Sequence, residues 1–268
     1  MLLLICSLQG YQFWVQTDAQ GGFRISNIVP GTYNVYAWVP GVIGDYKNDQ
    51  NIEIKGGSNI NLGELVFNPP RSGPTVWEIG IPDRTAAEFF IPDPAKGLSN
   101  SLFNGHPEKW RQYGLWDRYT DLYPNGDLVY NIGTSDYKKD WFFAHLNRRV
   151  GDKYVPTTWQ IKFPITNANG AYTLRIALAS VTYAQLQVMV NDPNKAQPIF
   201  STNSYNSGGR DNAIARHGIH GLYWLFEANI PAGIFVNGIN TIFIKQQTAG
   251  APFNGVMYDY LRLEGPTK

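Results

Sequence analysis

The chain has 268 residues, with 22 Lys and Arg against 21 Asp and Glu; a net charge of +1 gives no global field toward nucleic acid or an anionic membrane. A 43% hydrophobic share lets a chain of this length bury a sizeable core in one large or two medium domains. Its 27 glycines, 17 prolines, 16 tyrosines and 8 tryptophans favour many short strands and turns over helical bundles. Cys6 is the single cysteine, which excludes a disulfide framework and a thiolate metal cluster.

Met1-Leu2-Leu3-Leu4-Ile5-Cys6-Ser7-Leu8 has no basic leader and no small-residue cleavage site. It reads as a truncated or artificial start, and no run is long enough to span a bilayer. No Asn-x-Ser/Thr acceptor occurs, so glycosylation does not support export either. Strand character begins at residues 11–16 and continues in the alternating Phe23-Arg24-Ile25-Ser26 after the turn Asp18-Ala19-Gln20-Gly21-Gly22. Thr32-Tyr33-Asn34-Val35-Tyr36-Ala37-Trp38 predicts a longer strand, closed by Pro40-Gly41. Residues 51–55 and 62–67 complete a small antiparallel set. About 60 residues are fewer than the roughly 100 of a seven-strand sandwich, so the first domain, 10–68, is expected to be incomplete and poorly stable alone.

Asn68-Pro69-Pro70-Arg71-Ser72-Gly73-Pro74 marks a linker, placed at 69–74. A second domain, 75–267, opens on the strand around Val76-Trp77-Glu78-Ile79. Between Pro107 and Tyr123, aromatic residues recur every three or four positions (Trp110, Tyr113, Trp116, Tyr119, Tyr123), which predicts one amphipathic helix with a core-facing stripe. Strand signals follow at 128–130, 141–143, 158–163, 172–179, 185–190, 222–227, 240–245 and 256–263. Eight or so strands with Gly, Asn and Pro turns between them read as a jelly-roll sandwich. Asp18, Gly22-Phe23, Ile25, Ile28 and Pro30-Gly31-Thr32-Tyr33 resemble the pattern of the small fibronectin type III-like and transthyretin-like sandwiches. The fold class expected is all-β: an incomplete fibronectin type III-like sandwich, as that resemblance implies, then a jelly roll with one short helical segment.

The stretch Gly209–Trp224 concentrates chemistry. It holds Arg210, Arg216, His217, His220, Tyr223 and Trp224, with Gly209, Gly218 and Gly221 interrupting any regular element. Arginine offers a planar fork of donors matched to a carboxylate. The plainer alternative is an irregular loop whose charges pair with nearby acids. His217 and His220 stand three apart, but the glycines argue against a helix there and no carboxylate ligand is near in sequence, so zinc is not supported. Glu108, Asp117, Asp121, Asp127, Asp136 and Asp140 offer carboxylates for glycoside hydrolysis, yet their spacing singles out no pair. No phosphate-binding loop, dinucleotide fingerprint, nucleophile elbow or His-Glu-x-x-His signature occurs. The metal expectation is a structural calcium held by Glu78 and Asp259 in the first and last strands, although two ligands fall short of the six that calcium takes.

The blocks Val76-Trp77-Glu78-Ile79-Gly80-Ile81-Pro82-Asp83-Arg84-Thr85-Ala86-Ala87-Glu88-Phe89, Tyr113-Gly114-Leu115-Trp116 and Ser135-Asp136-Tyr137-Lys138-Lys139-Asp140-Trp141-Phe142-Phe143, with Gly209–Trp224, resemble the C-terminal part of plant-type rhamnogalacturonan lyases of polysaccharide lyase family four. Tyr33-Asn34-Val35-Tyr36-Ala37-Trp38-Val39-Pro40-Gly41 with Ile43-Gly44-Asp45-Tyr46 resembles the middle domain of the same proteins, and the match runs from about Gly10 to Glu264.

The resemblance implies cleavage of the rhamnose–galacturonic acid backbone of pectin by β-elimination. It places the basic Lys and His of that step in a large N-terminal β-sandwich that does not align with this chain. No catalytic residue is therefore carried over, and this chain alone is expected to be inactive.

The resemblance implies a pectic polysaccharide, rhamnogalacturonan I, as the partner, an extracellular location and no cofactor beyond the calcium expectation. A monomer is expected, with neither nucleic acid nor membrane as a partner. Arg210, Arg216, His217 and His220 would then face a galacturonate carboxylate, with Tyr223 or Trp224 stacking on a sugar ring. Two alternatives stay open: a purely structural module or inactive truncated product that packs against the catalytic domain, and a complete small enzyme with its own site.

Overall fold

The computed structural model describes residues 3–8, 11–92, 118–202, 223–252 and 254–266. The chain divides into two compact units, Met1–Arg71 and Ser72–Lys268.

In the first unit, β1 (Leu3–Leu8) pairs antiparallel with β2 (Tyr11–Gln16) on one side and β4 (Val35–Trp38) on the other. The apolar start of the chain is thus an inner strand, and the unit begins before residue 10. β5 (Tyr46–Lys47) extends this sheet, while β3 (Gly31–Tyr33) and β6 (Ile52–Ile54) form a separate pair. The single strand predicted over 32–38 is broken at Asn34, and its halves serve different sheets. Residues 23–26 and 62–67 are not strands, but Phe23, Ile25, Leu62 and Leu65 still pack on the small core of Tyr33, Val35 and Ala37. Alternation there marks burial without a ladder partner.

The second unit is a two-sheet sandwich. One sheet has the order β16-β13-β18-β7: β7 (Thr75–Gly80), β13 (Tyr172–Thr182), β16 (Trp224–Ile230) and β18 (Gly255–Glu264), with β9 (His145–Leu146) also on β18. The other has the order β15-β14-β17-β12-β8: β8 (Val129–Asn131), β12 (Thr157–Ile165), β14 (Leu186–Val190), β15 (Phe200–Ser201) and β17 (Gly238–Gln246). β10 (Arg148–Val150) and β11 (Lys153–Val155) form a separate hairpin that the sequence reading missed. The fold is all-β. Among the described residues its two helices, α1 (Tyr119–Leu122) and α2 (Tyr137–Asp140), are single turns. Most of the helix predicted over 107–123 lies outside the described residues.

Each sheet sends every second residue inward. Trp159 and Ile161 of β12 meet Ile244 and Ile242 of β17 in register, and Leu174 and Ile176 of β13 meet Leu263 and Leu261 of β18. Trp141, Phe142 and Phe143, predicted as a strand, form no ladder beyond the bridge Phe90–Phe142. They are nonetheless fully buried. Trp141 stands edge-on to Trp159 at 5.1 Å and to Tyr258 at 5.4 Å.

His145 is enclosed within this aromatic cluster. Its ring stacks on Trp159 at 4.1 Å, Nδ1 lies 2.8 Å from the Tyr258 hydroxyl, and Nε2 lies 3.4 Å from the Thr157 carbonyl. Complete burial pushes its pKa down to about 3, so the ring is neutral.

Candidate functional site

The turn after β7 is the most polar feature set into the sandwich edge. Gly80 has φ +90°, and a Cβ there would come 2.6 Å from the Asp259 carbonyl, so only glycine lets β7 leave the sheet this close to β18. Asp259 sits at a register irregularity of β18, and its Oδ1 accepts the backbone N–H of Asp83 at 2.9 Å and of Arg84 at 2.6 Å. That anchoring holds Arg84 at φ +71°. Glu88 Oε1 accepts the N–H of Ile81 at 2.7 Å, which closes the turn from its other end. Asp259 Oδ2 and Glu88 Oε2 are buried without a hydrogen-bond partner. Desolvation therefore dominates both groups and pushes Glu88 up to about 8 and Asp259 up to about 7, with Asp83 adding a smaller push to each.

Arg84 leads from this turn to the start of β16, where its guanidinium lies 4.7 Å from the centre of the Tyr223 ring. One face of Tyr223 is thus taken. Trp224 points to the other side of the strand, on the same side as Ala228 and Ile230, and stacks parallel to Phe226 at 5.9 Å. Tyr223 and Trp224 therefore do not form one sugar platform. Arg210, Arg216, His217 and His220 lie outside the described residues.

Glu78 and Asp259 do not fit a shared calcium. Glu78 stands opposite Arg262, three residues along β18 from Asp259, which is about 10 Å at ordinary strand rise. Glu78 Oε2 instead accepts the Tyr260 hydroxyl at 2.5 Å, on the outer face of the sheet, while Asp259 Oδ1 is spent on the turn. Among the described residues no group of three or more His, Cys, Asp or Glu is arranged to hold a metal. First-strand and last-strand acids share a site only when register sets them side by side, and here it does not.

The outer face of that sheet carries a network of paired charges. Arg175 of β13, 3% exposed, donates to Glu264 at 3.0 Å, Glu227 at 2.6 Å and the Ser72 hydroxyl at 2.9 Å. Glu264 also accepts the Ser72 N–H at 2.6 Å and lies 2.5 Å from Arg262. Burial alone would raise Glu264, but the Arg175 and Ser72 hydrogen bonds and the two guanidinium charges hold it below the usual glutamate range. Ser72, assigned to the linker, is bonded into the sandwich by these contacts. Of the acids considered for hydrolysis, Asp127 is committed to Arg148 at 2.7 Å and to the Thr158 N–H at 2.7 Å. Asp136 caps α2 through the Lys138 N–H at 3.0 Å. These are structural duties. The geometry assembles no acid–base pair at a cleft among the described residues.

The family model described as polysaccharide lyase family 4, domain III, matches residues 75–263, the whole length of the sandwich. The chain belongs to polysaccharide lyase family 4. The model for domain II of the same family matches residues 6–62, in agreement with a first unit that begins before residue 10. The chain is 29% identical over 209 residues to the probable rhamnogalacturonate lyase B of Aspergillus terreus, covering 74% of this chain and 30% of that protein. It is 29% identical over 243 residues to the rhamnogalacturonate lyase of Dickeya dadantii, covering 88% and 36%. For the probable rhamnogalacturonate lyase B of Neosartorya fischeri the identity is 28% over 290 residues, covering 95% and 42%. The chain spans roughly a third of the length of these relatives. No helix among the described residues is long and apolar enough to cross a membrane.

Proposed function

We propose that these residues serve a rhamnogalacturonan lyase as its accessory region, holding acidic pectic polysaccharide rather than cutting it. The observation that carries this reading is the domain III match over the whole sandwich, in a chain where Asp127 and Asp136 are held by structural hydrogen bonds. Its ligand is the rhamnogalacturonan I backbone, met outside the cell at the plant wall, and its working form is a monomer. The basic residues Arg210, Arg216, His217 and His220 supply one set of contacts to the uronate, with Tyr223 or Trp224 stacking on a sugar ring.

Isothermal titration of the 268-residue chain with rhamnogalacturonan I oligomers tests the holding function. Measurable heat with a dissociation constant in the millimolar range or below is expected, and no heat at millimolar ligand would overturn it. A parallel assay that follows absorbance of the unsaturated elimination product should show no turnover. Turnover by this chain alone would move catalysis into it.

A further inference from the structure

The two outer faces of the sandwich differ sharply in charge. The β16-β13-β18-β7 face carries the paired acids and arginines described above. The five strands of the other sheet contain no aspartate or glutamate at all, inside or out. They do contain Lys162 and Lys245, both half-buried at outward positions of β12 and β17. Among the described residues neither lysine has an ion-pair or hydrogen-bond partner.

Register places the outward side chains in rows. Lys245 stands between Gln187 of β14 and Thr158 of β12, and Lys162 stands beside Asn131 of β8. Between them, Met189, Phe243 and Gln160 form the central row. Met189 and Phe243 lie on the outer side, apart from the sandwich core, and are almost closed over, which gives the face a packed apolar floor. Lys245 is opposite Thr158, four residues from Lys162 along β12, so the two ammonium-bearing positions stand about 13 Å apart along the strand direction.

We infer that this face is a binding surface for an acidic oligosaccharide, with Lys162 and Lys245 each meeting a uronate carboxylate. Amide side chains supply both donors and acceptors, so Gln160, Gln187 and Asn131 can answer sugar hydroxyls in either sense. Lysine ammonium groups supply the charge. Two cations several sugar rings apart, with no acid on the sheet to neutralise them, complement a polymer whose carboxylates recur along its length. A neutral glycan would leave both charges unanswered. The inference rests on the reading of the chain as a holder of acidic pectic polysaccharide and adds the surface that does it.

The test titrates the full chain, and its Lys162→Gln, Lys245→Gln and double variants, with an oligomer of alternating rhamnose and galacturonate. A second arm uses the same oligomer with its carboxyls reduced to alcohols. Both lysines are at the surface, so unchanged melting curves are expected. Each single variant should weaken binding about threefold to fivefold and the double variant roughly tenfold, as for solvent-reached ion pairs. The carboxyl-reduced oligomer should bind unchanged chain and double variant alike. Wild-type binding that the double variant retains in full overturns this surface while the holding function stands. No binding by the unchanged chain overturns both. If the variants alter only the mass in solution, the face is a contact between copies, and the inference fails.

Discussion

At the scale of single residues, titration separates the groups that only the fold can perturb. Asp259 keeps its proton in the folded chain up to about 7, whereas its unfolded reference is 3.8. Its contribution to stability is therefore full below 3.8 and is lost as pH rises through about 7. Glu88 behaves in the same sense between 4.5 and about 8. His145 has the opposite sign. It stays neutral down to about 3 while the unfolded chain protonates near 6.5, so its contribution is present above 6.5 and lost as pH falls. Asp259→Asn keeps an acceptor for the Asp83 and Arg84 N–H groups and removes the titration. Melting temperatures of this variant should fall less than those of the unchanged chain between pH 5 and pH 8. Asp259→Ala leaves those two N–H groups without their acceptor and should cost about 1–3 kcal/mol in urea unfolding. His145→Asn, measured by the same melting series, should flatten the acid limb between pH 3 and pH 6.5 while lowering stability at pH 7 through loss of the Trp159 stack.

At the scale of elements, the strands are joined by side chains as well as by ladders. Arg175 ties β13 to β16, to β18 and to the segment entering the sandwich at Ser72. Removing it leaves the buried Glu264 with Arg262 as its one charged partner beside the Ser72 N–H. Arg175→Ala should therefore cost about 3–5 kcal/mol in guanidinium unfolding. Because Glu264 is held below its usual range, its contribution is present above 4.5 and lost as pH falls, so the variant's deficit should shrink in acid. Trp159 sits where His145, Trp141 and Tyr258 meet, and its Nε1–H donates to the Tyr119 hydroxyl at 2.9 Å. Trp159→Ala should cost about 3–5 kcal/mol by the same measurement.

At the scale of the whole molecule, the two units are unequal. Among the side chains described, Met1–Arg71 fully buries Tyr33, Val35, Ala37 and Ile43, whereas the sandwich buries Trp141, Trp159, Phe142, Phe143 and Phe163 with many aliphatic neighbours. Scanning calorimetry should resolve two transitions, the first and smaller belonging to the N-terminal unit. A single cooperative transition would overturn this prediction.

The sequence by itself determined the all-β class, most strands of the sandwich and the family, because alternation, turn residues and multi-residue blocks are local signals. It read the strands at 158–163, 172–179 and 240–245 at nearly their observed bounds, since each buries one or both faces and has a ladder partner. It misread 23–26, 62–67 and 141–143 because burial alone produces the same apolar signature without a partner strand. Leu3–Leu8 was missed as a strand because its apolar run resembles a leader as much as an inner strand.

Which charges meet was a matter for tertiary structure. Glu78 and Asp259 look alike in sequence, yet register along β18 sends one to Tyr260 and the other to the turn at Asp83 and Arg84. Lys162 and Lys245 stand 83 positions apart in the chain and carry no motif. Only the pairing of β12 with β17 puts them on one acid-free face, because strand register is set by long-range packing and cannot be read from neighbouring residues.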